Sequence, residues 1–316
     1  MKGSENNEVV PPNKDIITEI ENEVNAPIYK TLGKAENFII NTKELRDMLY
    51  KHYLKKQQPQ KARAVKECGT FLLFKQYKDT QATAQLASAN FCKNPLCPMC
   101  AWRKHIKNSN IMSYAIEEIS GKVSHLVLAV PNTKNITRER LLNLKERAVS
   151  FIKGQLGCEN YYTSLEIVAS DAGFHPHIHI LLETEEYFQV NEEFIKDFSR
   201  KWKKHFDKKD TEIYNRAYDG YTFFIRGITG DYQGALQEVT KYVVKAETKI
   251  DKAYTEQLAD AVFGVRKTSA GGSFKKAIKT GKADALIESE RFFRELSAYE
   301  WEYQIYNFIN GRYIKK

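Results

Sequence analysis

The chain has 316 residues, 42% of them hydrophobic, with a mean hydropathy of -0.54, a net charge of +9 and pI ≈ 9.0. No apolar run reaches the length of a membrane span and the amino terminus lacks a hydrophobic signal segment, so a cytoplasmic protein with no membrane partner is expected. The basic excess favours a polyanion such as nucleic acid, and five cysteines, four of them closely spaced, point to thiolate or metal chemistry in a reducing compartment over a disulfide framework.

Residues 1–42 are polar, contain Pro11, Pro12 and Pro27, and show little periodicity, which predicts a mobile leader with at most short ordered pieces. A helical pattern starts at Thr42 (Leu45, Met48, Leu49, Tyr53) and fades into a basic, Gln-rich stretch ending near Lys66. Its lysines and Arg63 either touch phosphates or face solvent. A cysteine module follows, with Cys68, a strand-like Thr70 to Tyr77, and then Cys92, Cys97 and Cys100. The Cys97-Pro-Met-Cys100 spacing lets two thiolates bind one zinc tetrahedrally, with Cys92 and Cys68 as third and fourth ligands and His105 as a substitute. A redox dithiol is the other reading of Cys-x-x-Cys; the extra cysteines and the lack of a thioredoxin-like βαβ context favour zinc. Trp102, Arg103, Lys104 and Lys107 open a helix that should stop at Gly121, and its cations either contact the DNA backbone or simply face water.

Val123 to Val130 reads as an apolar strand, and Thr137 caps an amphipathic helix ending at Gly157. Tyr162 to Ala169 and Phe174 onward read as two strands joined by the turn Asp171-Ala172-Gly173. In the second, His175, His177 and His179 alternate with Pro176, Ile178 and Ile180, so the imidazoles share one face while the others enter a core. Folding back as a hairpin brings Glu166 across from the histidines, and two imidazoles with a carboxylate suit a divalent ion with open coordination positions. Strand histidines without a metal are the plainer alternative. Asn191 caps a further helix, and a strand at Tyr221 to Arg226 completes the order β-α-β-β-α-β. That order predicts an α+β fold built on a ferredoxin-like antiparallel sheet, with helices on one face and the histidine face left free. A helix over Tyr232 to Glu247 puts Glu238 and Tyr242 on one face and Lys245 a turn further along, which by itself reads as a surface ladder. Beyond Lys249 come a helical Leu258 to Val265, basic residues around Gly271-Gly272, a helix over Ala283 to Trp301, and a terminal hairpin about Asn310-Gly311.

Cys-Gly at 68, Cys-x4-Cys-Pro-x-Cys-x-Trp-Arg at 92–103, the strand His125 to Pro131 with Asn132, Phe-His-Pro-His-Ile-His at 174–179 and Glu-x3-Tyr-x2-Lys at 238–245 occur in that order. Together they resemble the rolling-circle replication initiators of small plasmids from Gram-positive bacteria, a branch of the HUH endonucleases with one catalytic tyrosine. The similarity runs from Cys68 to about Lys276. The resemblance implies that His177 and His179 are the ligand pair of a Mg²⁺ or Mn²⁺ ion, with His175 a neighbour, and the hairpin adds Glu166 as third ligand. It implies that Tyr242, aided by Lys245, nicks origin DNA through a 5′-phosphotyrosine. Glu238 stands where two-tyrosine relatives carry a second phenol, and there it would activate water at termination.

The implied organisation is a leader and helix over 1–60, a zinc module over 61–121 contacting DNA through Arg103, Lys104 and Lys107, a nicking domain over 122–250, and a helical extension over 251–316. Implied partners are plasmid origin DNA, single-stranded at the nick, with a host helicase and single-strand-binding protein by analogy. The competing expectations are an HUH transposase or mobilisation relaxase, and a non-catalytic zinc-dependent DNA-binding regulator.

Overall fold

The computed structural model describes residues 28–77, 84–170, 173–206, 223–229, 232–240, 244–245, 252–282 and 300–316. Helices α1 (Ile28–Asn41), α2 (Lys43–Lys55) and α3 (Pro59–Lys66) precede strands β1 (Phe71–Tyr77) and β2 (Ala84–Ala89) and the long helix α4 (Pro98–Glu117). Then come β3 (Lys122–Ala129), α5 (Arg138–Leu156), β4 (Tyr161–Ser170), β5 (Gly173–Thr184), α6 (Glu192–Lys203) and β6 (Phe223–Gly227). The chain continues with α7 (Tyr232–Thr240), β7 (Val244–Lys245), α8 (Lys252–Val262), β8 (Thr268–Gly271), a helical stretch over 272–282, and a terminal hairpin of β9 (Trp301–Ile309) and β10 (Arg312–Lys315).

The architecture is mixed α/β with two mainly antiparallel sheets. The larger has the strand order β6-β3-β5-β4, all neighbours antiparallel. The outer edge of β4 is covered by two short strands: β8 pairs antiparallel with Tyr161–Ser164, and β7 pairs parallel with Ile167 and Val168. One face of this sheet carries the main core. Leu126, Leu128, Leu165, Ile178 and Ile180 pack against Leu141, Ala148, Phe151 and Ile152 of α5 and Phe198 and Trp202 of α6, all nearly fully buried. The Trp202 indole donates to the Ala129 carbonyl at 2.8 Å, so this core residue keeps its one polar group paired. Both helices start where side-chain caps allow. Thr137 accepts from Arg140 N, Asn191 accepts from Phe194 N, and Gly157 ends α5 in the left-handed conformation.

Four expectations are corrected. Residues 28–41 are helical, because Leu32, Ala35 and Ile39 fall on one face and are buried with Leu72, Phe74, Cys97 and Met99. The histidine face of the sheet is not free along its length. Val123, Tyr162 and Leu181 share that face and are covered by Met112 of α4, Leu236 and Val239 of α7, and Phe274. The helix α7 ends at Thr240, and Lys245 lies in β7, where two residues of chain gain hydrogen bonds from β4 that a longer helix would not make. The C-terminal region is not helical throughout: β8 joins the larger sheet, and β9 pairs with β1 in a second sheet of order β10-β9-β1-β2. Its terminal hairpin turns at Asn310 and Gly311, both with positive φ, as the Asn-Gly pair predicts. Of the expected helix over Ala283 to Trp301, residues 283–299 lie outside the described residues, Glu300 is not helical and Trp301 begins β9.

At the start of β5 the chain needs a glycine. Gly173 has φ 107°, and a Cβ there would stand 2.5 Å from the Thr133 carbonyl oxygen. The next residue, Phe174, exchanges two backbone hydrogen bonds with Thr133, at 2.7 and 2.9 Å. Gly173→Ala should therefore destabilise the protein by about 1–3 kcal/mol, read as a lower urea midpoint with an unchanged m-value.

Candidate functional site

The pairing of β4 with β5 sets Glu166 opposite His177 and Ser164 opposite His179. With side chains alternating across the sheet, Glu166, His177 and His179 meet on one face. Nε2 of His177 lies 3.0 Å and Nε2 of His179 lies 2.8 Å from the same Glu166 oxygen, Oε2. All three side chains are buried, and their candidate ligand atoms lie within 4.8 Å of one another. Burial alone would push the Glu166 carboxyl up, but hydrogen bonds and charge from His177 and His179 more than offset it and hold the group well below the usual carboxylate range.

The outer nitrogens are also occupied. His177 Nδ1 donates to the His175 carbonyl at 3.3 Å, and His179 Nδ1 hydrogen-bonds His125 Nε2 at 3.1 Å, the two rings stacked at 5.3 Å. Such partners fix ring orientation and leave both Nε2 atoms facing Glu166. This donor set could hold a divalent ion. His125 was visible in the sequence only as part of a strand; its opposition to Leu181 in the register, diagonal to His179, could not be read there. His175 stands apart, donating from Nδ1 to Asn132 Oδ1 at 2.8 Å. Burial, and then the neighbouring His177, take its pKa down to about 4, so it is a neutral imidazole at pH 7.

The second group consists of Cys68, Cys92, Cys97 and Cys100. Cys97 Sγ is 3.5 Å from Cys68 Sγ, and Cys100 Sγ is 3.6 Å from both Cys68 and Cys92. These separations are far too long for disulfides. Backbone amides close round the sulfurs: Lys93 N donates to Cys100 Sγ at 3.2 Å and Cys92 N to Cys68 Sγ at 3.4 Å. Lys93 adopts φ 58°, the left-handed turn that wraps the chain about the cluster. His105 is not a member. Its Nδ1 is 3.0 Å from the Thr240 carbonyl oxygen, since four thiols already complete the group and α4 carries the ring away towards α7.

Between the two groups lies a pocket of ≈ 460 Å³, whose walls include Arg103, Lys104 and Lys107 at the start of α4, Thr240 at the end of α7, and Lys267. The Arg103 guanidinium stacks on Phe91 at 3.8 Å. Lys267 was not singled out in the sequence, where it is one basic residue among several. It is 5% exposed, its carbonyl accepts from Leu165 N at 3.0 Å, and its ammonium interacts with Glu166. Burial pushes that ammonium down to about 7, with Glu166 opposing the shift and Lys104 adding to it.

Tyr242 lies outside the described residues, as does the side chain of Glu238. The chain on either side of Tyr242 is placed. Thr240 closes α7 beside the pocket, and Val244 pairs with Ile167, next to Glu166.

Residues 83–309 match the family described as Replication protein (Rep_1). The chain belongs to this family, the initiators of rolling-circle plasmid replication. The chain is 26% identical over 301 residues to Protein rep of Lentilactobacillus hilgardii, covering 84% of this chain and 93% of the relative. It is 28% identical over 231 residues to Protein rep of Streptococcus pneumoniae serotype 2, covering 68% and 70%. A shorter match, 33% identical over 134 residues, is to Protein rep of Staphylococcus aureus, covering 37% of this chain and 56% of the relative. No solved structure matches it. Among the described residues no helix is long and apolar enough to cross a membrane.

Because His125 hydrogen-bonds His179 without joining the Glu166–His177–His179 group, His125→Ala should weaken binding of a divalent ion such as Mn²⁺ at that group by about 10–100-fold. Titration followed by calorimetry should register this with the fold intact by circular dichroism.

Proposed function

We propose that this protein is a metal-dependent DNA nicking enzyme of the HUH type that opens the plasmid origin through a 5′-phosphotyrosine on Tyr242. The observation that carries the reading is the buried Glu166–His177–His179 group, with both flanks of Tyr242 tied to its sheet, Thr240 through α7 packed on the histidine face and Val244 through β7 at the β4 edge. The strand order β6-β3-β5-β4 supports an HUH core, being that of a ferredoxin-like β-α-β-β-α-β sheet with four antiparallel strands.

His177, His179 and Glu166 would hold Mg²⁺ or Mn²⁺, which supplies Lewis acidity at an oxygen of the scissile phosphate. Two imidazole donors are softer than oxygen, and favour Mn²⁺ over Mg²⁺. The Tyr242 oxygen forms a bond to phosphorus as the bond from phosphorus to the 3′ oxygen breaks. The phenolic proton passes to solvent, the departing oxygen takes one up, and the free 3′-hydroxyl serves as primer. An ordinary phenol, with a pKa near 10, is mostly protonated at neutral pH, and the ammonium of Lys245 favours its ionised form. At termination Glu238 takes a proton from water, whose oxygen attacks the regenerated origin and leaves a 3′-hydroxyl and a 5′-phosphate.

The four cysteines would hold zinc. Four thiolates at about 2.3 Å from one ion stand about 3.8 Å apart, near the 3.5 and 3.6 Å of Cys68, Cys97, Cys100 and Cys92. In this reading residues 61–121 form a zinc module contacting DNA through Arg103, Lys104 and Lys107, and 122–250 the nicking domain. A host helicase and single-strand-binding protein then act on the opened strand.

Incubation of the full chain with labelled single-stranded origin DNA and Mn²⁺ should yield a denaturation-resistant adduct that maps to Tyr242 and disappears in Tyr242→Phe. An adduct on another residue would remove Tyr242 as nucleophile. Glu238→Ala should nick at the wild-type rate yet fail to release product at a second origin in a two-origin plasmid assay; unimpaired release would remove its role. Metal analysis should find one zinc per chain, lost in Cys100→Ser.

A further inference from the structure

The pocket between the two candidate metal groups has an unusual lining. Lys93, Arg103, Lys104, Lys107 and Lys267 contribute to its walls, and no Asp or Glu does among the described residues. Four of these cations come from the cysteine module and the first turns of α4, where side chains at the surface could reach solvent. Lys267 differs. It comes from the chain just before β8, is buried, and its backbone is fixed beside Leu165, the residue before Glu166. Its ammonium donates to the Thr240 carbonyl at 3.4 Å, a long contact for a cation withdrawn from water. The ammonium has the Glu166 carboxylate and Lys104 as charged neighbours, and the excess of cations round the pocket leaves an attractive place for an anion with several acceptor oxygens.

The position of the pocket narrows the choice of anion. One wall reaches Thr240, two residues before Tyr242, and Lys267 interacts with Glu166 of the triad. The Arg103 guanidinium carbon lies 3.8 Å from the Phe91 ring centroid, a cation–π pair in the pocket wall beside which a nucleobase could pack. We propose that this pocket is a phosphodiester subsite for the single strand being nicked, and that Lys267 grips the linkage bound there. The identity of the strand rests on the nicking function proposed above. Binding to the pocket needs neither Tyr242 nor cleavage.

The test uses the full chain, a labelled single-stranded origin oligonucleotide and buffer with no added divalent cation, so that binding alone is read by fluorescence anisotropy. Lys267→Met keeps the buried methylene stem and removes the charge. Affinity should fall about tenfold, and the slope of log K against log salt should become shallower by about 0.7, the value for one single-strand phosphate. Replacing single linkages with neutral methylphosphonate should weaken the wild type at one linkage near the nick and leave Lys267→Met indifferent there. Wild-type affinity and slope in a folded Lys267→Met would overturn the inference, as would equal sensitivity of both proteins at every linkage. If Lys267→Met does not fold, Lys104→Gln with Lys107→Gln, both at exposed positions, decides: wild-type affinity and slope there also overturn it. Absence of a Tyr242 adduct with these binding losses intact would remove the nicking function and leave the subsite standing.

Discussion

A slip of one residue between β4 and β5 would turn His177 and His179 into the core and bring Ile178 and Ile180 onto the opposite face, because side chains alternate with a period of two. The site exists only because that slip is blocked. Ile178 and Ile180 are essentially fully buried against α5 and α6, so one face of β5 has a strong apolar preference. At the hairpin end, Gly173 and the paired Phe174–Thr133 bonds fix where the strand begins. Register, core and triad are thus one constraint seen from three sides. A buried carboxylate would be costly alone, and the two imidazoles that satisfy Glu166 are delivered by the same register.

The second sheet solves a different problem. A cysteine-bearing segment this short cannot bury much core by itself. Here it gathers residues from both ends of the chain: Leu32, Ala35 and Ile39 of α1 and Tyr313 of β10 pack with Leu72, Phe74, Cys97 and Met99. The Tyr313 hydroxyl donates to the Gly69 carbonyl, next to Cys68. The four sulfurs therefore sit at the meeting point of segments far apart in sequence, where a bound ion would cross-link the turn before β1, the loop after β2 and the start of α4.

What could be read from the sequence was what local rules govern. Thr137, Asn191 and Gly157 mark helix ends because capping is settled within a turn, and the Asn310-Gly311 hairpin because its φ values are. The His–Ile alternation and the Cys-x-x-Cys spacing carried the two candidate groups for the same reason. Long-range choices were hidden. Nothing local says that β9 should lie beside β1, that α7 should cover the histidine face, or that Val244 and Lys245 should leave the helix to pair with β4. Lys267 was invisible because a lysine in a basic stretch reads as solvated until the fold buries it.

Cover on the histidine face also governs how a strand of DNA could reach the triad. Leu236 and Val239 of α7, Met112 of α4 and Phe274 seal the part of that face nearest Val123 and Leu181. On the β4 edge, β8 pairs as far as Ser164 and β7 begins at Ile167, so Glu166 falls between two short strands that close the edge on either side of it. Lys267, immediately before β8, brings a cation to that interval, while α7 and the first turns of α4 supply the other walls of the pocket. A polyanion drawn by Lys104 and Lys107 thus meets charge that continues inward towards the carboxylate and its imidazoles. Under the nicking function proposed above, opposite charges at the two ends of such a path would hold a phosphate near the pocket cations and a metal near Glu166, without requiring the sheet to open.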